Sequence, residues 1–242
     1  MSDPNTASVQ DTQPDMTQLR SQFEGESPKK QLSLIPELAN QGEEGLGILM
    51  DFLRENQSQP PNLVTGKAYQ QLYQAKTPTT EAFLQTHFPK GVVPLNSAAT
   101  IDYLPLQQLL VEQDFQAADR LTLQKMCELA GDGAVQRKWL YFTEVENFPI
   151  ADLQTLNNLW LIHSEGKFGF SVQREIWLSV GKDFSKLWSK IDWKTGNRWT
   201  RYPNEFQWDL SAPRGHLPLS NQLRGVRSFA SLMSHPAWSK MA

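Results

Sequence analysis

Three polar residues stand three apart in HLPLSNQLRGVR (216–227): Asn221, Arg224 and Arg227. On a helix, at about 100° per residue, this spacing lays them along one flank. Leu223, Val226, Ala230 and Met233 fall within an arc of about 80° and read as the core stripe. Ser220 reads as the cap of this last helix. The macrodipole is positive at a helix start and disfavours cations there, so two arginines in the first two turns have the wrong sign locally. An anion would repair this, each charge-assisted bond to a carboxylate contributing about 1.5–3 kcal/mol. Solvated guanidinium groups, or pairs with acids elsewhere, are the alternative.

The preceding stretch, KTGNRWTRYPNEFQWDLSAPRGHLPLS (194–220), is 27 residues without a clear helix. Unstructured connections of that length are rare in compact domains and are often functional. It carries Trp199, Tyr202, Phe206, Trp208, Leu210, Leu217 and Leu219. Large apolar side chains gain by leaving water, so the segment either packs on the helical body or walls an apolar site. In the second case the ligand is flat or greasy, with acidic tails.

Other chemistries find little support. GDGAVQRK lacks the spacing of a phosphate loop, and HExxH and Gly-x-Ser-x-Gly are absent. His87, His163, His216 and His235 have no metal-ligand spacing, and His216 reads as a hydrogen-bonded loop histidine. Glu205 and Asp209 lie four apart and read as surface charge rather than an acid/base pair. Cys127, the single cysteine, falls mid-helix and reads as a buried structural thiol. No catalytic constellation, catalytic cofactor or metal site is expected.

The elements that must position these residues follow from the rest of the chain. Its 242 residues are 39% hydrophobic, enough for one large domain or two small ones. Residues 1–100 hold 7 Lys+Arg against 11 Asp+Glu, and 101–242 hold 16 against 15. A net charge of −3 gives no basic field for nucleic acid. All eight tryptophans lie in the second part. The clustering of Pro, Gly, Ser and Ala in FPKGVVPLNSAAT (88–100) marks a boundary. We read a mobile tail over 1–15, an N-terminal helical accessory domain over 16–90, a linker over 91–100 and a core domain over 101–242.

The fold class is all-α. In the first part MTQLRSQF, PKKQLSLIPELANQ, GLGILMDFLREN, TGKAYQQLYQA and TEAFLQTHF read as short helices in a bundle or a solenoid-like stack. In the second, Asp114 caps a helix that ends at Gly131, with Ala118, Leu121, Met126 and Leu129 on one face. Pro149 is expected at the first helical position of IADLQTLNNLWLIHS. Ser171 is expected to cap the next helix, Gly181 to follow its end in the left-handed region, and Asp183 to cap FSKLWSKIDW. No apolar run reaches 18 residues, so no membrane-spanning helix is expected. The first residues lack the plan of a secretory or transit peptide, and a cytoplasmic protein is expected.

At KFGFSVQREIW (167–177), RWTRYPNEFQWDLSAPRGHLPLSNQLRGVR (198–227) and ENFPIADLQTLNNLW (146–160) the chain resembles the Genomes Uncoupled porphyrin-binding family, in its fourth-named member. The resemblance spans about 100–235 and favours a cyanobacterial type. It implies a helical core shaped like a cupped hand with long loops, whose palm binds protoporphyrin IX and Mg-protoporphyrin IX. It also implies a non-catalytic activator of magnesium chelatase in chlorophyll biosynthesis. The partner would be the large porphyrin-handling subunit, with peripheral membrane contact left open. Asn221, Arg224 and Arg227 match the family's polar positions. Phe142, Phe148, Ile150, Phe206, Trp208, Leu217 and Leu219 match its apolar palm. Trp199 and Tyr202 fall in its loop motif as lid residues. The competing reading is a helical protein-interaction or signalling module with no porphyrin ligand.

Overall fold

The computed structural model describes residues 16–219 and 226–239; the expected tail over 1–15 lies outside the described residues. Thirteen α-helices and one two-stranded hairpin are found among the described residues. The first five are α1 (Met16–Gly25), α2 (Pro28–Ala39), α3 (Gly42–Glu55), α4 (Leu63–Ala75) and α5 (Pro78–His87). They enclose a core built on Phe23, Ile35, Leu38, Leu49, Leu53 and Leu72. The α4 start is fixed by Asn62, whose side chain accepts from the Val64 and Thr65 amides while the Thr65 hydroxyl closes the reciprocal bond. Pro78 opens α5 behind the Thr77 cap.

The second core holds α6 (Leu104–Val111), α7 (Phe115–Ala130), α8 (Asp132–Arg137), α9 (Phe142–Val145), α10 (Ile150–His163), α11 (Phe170–Ser179), α12 (Phe184–Lys190) and α13 (Val226–Ser234). At its centre is α10, with Leu153, Leu156, Leu159 and Trp160 fully enclosed. The Trp160 indole stacks on Phe115 and donates to the Thr122 hydroxyl at 2.9 Å, so its one polar atom is satisfied in the interior.

The connection between the two cores is tied down. Asp152 of α10 accepts from the Ser97 hydroxyl, from the Ala98 amide at 2.9 Å and from the Tyr103 hydroxyl at 2.9 Å. Gln107 accepts from the Val93 amide and donates to the Lys90 carbonyl. The cores meet where α4 lies on α10. Lys67 pairs with Glu165 at 2.6 Å, and Tyr73 donates to Glu112 at 2.9 Å. His163 is enclosed at this seam beside Tyr69; burial lowers its pKa to about 3 and leaves it neutral. Gly66 is needed for the close approach, because a Cβ there would come within 2.3 Å of Ile162 Cγ2.

The all-α class holds, and so do the caps at Asp114 and Asp183, the left-handed Gly181 and the buried Cys127. Five expectations change. Pro149 occupies the cap position, one residue before the helix. Ser171 lies inside α11, whose cap position is Gly169 at φ 137°; the Ser171 amide is met by Asn157 Oδ1 at 2.8 Å. Leu121 and Leu129 are only half-buried, and Asp119, Thr122 and Cys127 take the enclosed face of α7. Val226 is exposed rather than in the core, which receives Phe229, Leu232 and Met233 from α13. The long connection contains the hairpin β1 (Lys194–Thr195) and β2 (Arg198–Trp199). The Ser220 cap lies outside the described residues.

Replacing Gly66 by Ala forces Ile162 or the backbone beside it to move. We expect a loss of about 1–3 kcal/mol of stability, read as a lower urea midpoint by tryptophan fluorescence. An unchanged midpoint would show that α4 and α10 can separate freely.

Candidate ligand site

One side of the candidate site is built on α9 and α13. Arg137 is held from three directions. Its guanidinium meets both Glu144 oxygens at 2.7 and 2.8 Å, and it lies 4.4 Å from the Tyr141 ring centre and 5.1 Å from that of Trp139. Glu144 also accepts from the Tyr141 amide at 2.8 Å. This block fixes the start of α9, where the Tyr141 and Phe142 rings remain exposed. Helix α13 packs on α9 and is pinned by the Ser228 hydroxyl, which donates to the Leu140 carbonyl at 2.9 Å. At its described start Val226 is exposed, and the Arg227 guanidinium lies over the Phe142 ring at 5.8 Å, within range of a cation–π attraction.

The other side is the long connection, which divides into two arms. Residues 206–219 are anchored on the body, with Gln207, Asp209, Ser211 and Arg214 left exposed. Phe206, Leu217 and Leu219 are buried and Trp208 is half-buried. Gln173 of α11 donates to the Gly215 carbonyl at 3.0 Å and to the Pro218 carbonyl at 2.8 Å. Gly169 donates to the Leu217 carbonyl at 3.0 Å, and the Trp193 indole to the His216 carbonyl at 2.7 Å. The Leu219 amide donates to Asp119 Oδ1 at 2.6 Å. Residues 194–205 stand outward. Trp199 is 43% and Tyr202 38% exposed. Trp199 touches Trp188, and Tyr202 leans on Phe206 and Trp208.

His216 ties the second arm to the end of α12. Its Nδ1 lies 2.7 Å from the Ile191 carbonyl, and its Nε2 accepts from the Gln207 amide at 3.2 Å. Only the neutral ring protonated at Nδ1 satisfies both contacts, and burial lowers its pKa. Burial raises the Asp119 carboxyl to about 7 against the smaller opposing pull of the Leu219 amide and Arg120. Glu205 is held low by the Arg201 amide and pairs with Arg198; Asp209 is held low by the Ser211 hydroxyl and amide. Both are solvated and ionised, so neither suits a general acid. Burial pushes the Cys127 thiol up to about 11, away from nucleophilic use. Among the described residues no His, Cys, Asp and Glu cluster is suited to a metal.

Of the residues singled out from the sequence, the structure brings Phe142 and Arg227 together. It leaves Ile150, Trp199 and Tyr202 exposed and encloses Phe148, Phe206, Leu217 and Leu219. Asn221 and Arg224 lie outside the described residues. Sequence reasoning missed Tyr141, Val226 and Asp119. A signal for the last exists: Phe115, Asp119, Thr122 and Met126 share one face of α7 at spacings of four, three and four, so the acid occupies a core position.

The neutral His216 contributes stability that is full above its unfolded value near pH 6.5 and lost as pH falls toward its depressed folded value. A protonated ring would turn an N–H toward the Gln207 N–H. We expect hydrogen exchange over 203–210, corrected for intrinsic rate, to accelerate below about pH 6.5, and His216→Ala to exchange fast at pH 8 as well. Equal protection at pH 5 and 8 in the wild type would remove the clamp role.

The comparisons accord with this architecture. A family model described as GUN4-like matches residues 96–236, and one described as an ARM-like repeat domain, GUN4 N-terminal, matches residues 7–89. The chain is 57% identical to a Ycf53-like protein of Synechocystis over 93% of its own length and 97% of the relative's. It is 41% identical to the Arabidopsis thaliana "Tetrapyrrole-binding protein, chloroplastic" over 55% of this chain and 54% of that one. The solved structure of GUN4 from Chlamydomonas reinhardtii matches with a TM-score of 0.57 and 45% identity, covering 60% of this chain and 95% of that chain. Matches to both parts, at this identity and coverage, show that the chain belongs to the GUN4 family, in its cyanobacterial type.

Proposed function

We propose that this protein is a non-catalytic tetrapyrrole-binding regulator that takes up protoporphyrin IX and Mg-protoporphyrin IX and stimulates magnesium chelatase. The observation that carries the reading is the Arg227 guanidinium beside the exposed Phe142 ring, with Val226 exposed next to it. A macrocycle needs an apolar face to cover and its propionates need cations, and this lip offers both. Trp199 and Tyr202, exposed on the outward arm, would close over the ligand as lid residues. Asn221 and Arg224 would extend the polar flank. The enclosed Phe148, Phe206, Leu217 and Leu219 would support the floor from behind rather than touch the ring. The printed name of the Arabidopsis relative supports the ligand class. Among the described residues no helix is long and apolar enough to cross a membrane.

Titration of the full chain with a dicarboxylate porphyrin should quench tryptophan emission and shift the porphyrin absorbance. Arg227→Ala should weaken binding about ten- to a hundredfold. Addition of the wild type, but not the variant, should raise the rate of magnesium insertion by purified chelatase subunits at limiting porphyrin. A flat titration by a folded wild type would favour the protein-interaction module instead.

A further inference from the structure

The turn between α10 and α11, residues 164–169, touches the N-terminal domain on one edge and the long connection on the other. Glu165 and Gly166 both take the left-handed region, at φ 55° and 77°. That region costs energy for a residue with a Cβ, so a contact that holds Glu165 there offsets the cost. Lys67 of α4 makes it: its Nζ lies 2.6 Å from Glu165 Oε1, and the two side chains are only 13% and 32% exposed. The pair is therefore not one of the fully solvated kind that contributes little. Leu63, at the start of α4, lies against Gly166, where a Cβ would come within 3.1 Å of its Cδ1. Two residues beyond Glu165, the Lys167 carbonyl accepts from the Gly215 amide at 2.9 Å, and the Lys167 ammonium donates to the Leu210 carbonyl. Gly169 ends the turn by donating to the Leu217 carbonyl at 3.0 Å. Between them Phe168 is fully enclosed beside Phe115 and Trp160.

We propose that Lys67 and Glu165 are positioning residues through which the N-terminal domain holds the 206–219 arm of the long connection. With the pair formed, Glu165 keeps its left-handed conformation, and the Lys167 carbonyl and the Gly169 amide stand where the arm meets them. With the pair broken, the backbone at Glu165 is released toward negative φ. The following residues turn with it, and the Lys167 carbonyl leaves the Gly215 amide. Phe168 cannot absorb that rotation, because its ring is enclosed in close-packed surroundings. The inference goes beyond the porphyrin reading and stands without it: what is held is the connection, whatever the connection binds. It also gives the N-terminal domain a task in the second core, carried by residues that lie 98 apart in sequence.

The test is hydrogen exchange of the full chain, read amide by amide by NMR, with no ligand added. In Lys67→Ala the Gly169 and Gly215 amides should exchange roughly three- to thirtyfold faster than in the wild type, while amides inside α7 keep their protection. Lys67→Arg, which preserves the charge, should restore the wild-type rates. Two changes at Glu165 separate a conformational hold from simple docking of the domains. Both lose the carboxylate, but Glu165→Gly adopts the left-handed region freely and Glu165→Ala does not. Glu165→Ala should therefore accelerate Gly215 as Lys67→Ala does, and Glu165→Gly should stay several-fold slower. Wild-type protection of Gly215 in Lys67→Ala, equal acceleration throughout α7 and the arm, or identical rates in the two Glu165 variants would overturn the proposal. Should Lys67→Ala fail to fold, Glu165→Gln, which keeps the shape and removes the charge, is read in its place and should accelerate the same two amides. Because no ligand enters the measurement, failure here leaves the porphyrin reading untouched.

Discussion

A chain segment with no helix can be buried only if each of its backbone amides and carbonyls finds a partner. Residues 206–219 meet that constraint partly through side chains, His216 from within the arm and three others from outside it. Gln173, Trp193, His216 and Asp119 each hold a backbone group of this arm. Regular ladders are replaced by a set of individual anchors, so the arm's path depends on particular residues rather than on secondary structure. Removing one anchor leaves a buried polar group unmet, at a cost of about 1–3 kcal/mol. The site inherits this dependence, because the anchored arm ends where the arginine-bearing stretch begins.

The outward arm obeys a different balance. Its rings are exposed, its ion pair between Arg198 and Glu205 is solvated, and such pairs contribute little. One connection thus joins a fixed half and a lightly held half, with His216 holding Gln207 near the start of the fixed one. An anchored half beside an adaptable one would suit the large flat ligand proposed above.

Much of the helical frame was legible in the sequence, because caps and periodic apolar residues act locally. Asp114, Asp183 and Gly181 do what their types and positions imply. The errors arise where tertiary contacts decide. Val226 has core periodicity, yet it is exposed at the described start of α13, where no described element encloses it. Ser171 is a good capping type, but Asn157 from α10 already serves its amide. The aromatic connection could be read as packed or as a site wall; its second half packs on the body, and its first half leaves Trp199 and Tyr202 exposed. Which half was which depended on Gln173 and Asp119, whose partners lie 42 to 100 residues away. No local pattern encodes those pairings.

Phe229 of α13 rests among Phe184, Trp188 and Trp193, and Trp188 in turn touches Trp199 at the hairpin. The helix bearing Arg227 and the strand bearing Trp199 therefore bear on one shared block of rings. Packed interiors transmit displacement rather than absorb it. How that aromatic block is seated therefore bears on where the helix and the strand stand relative to each other.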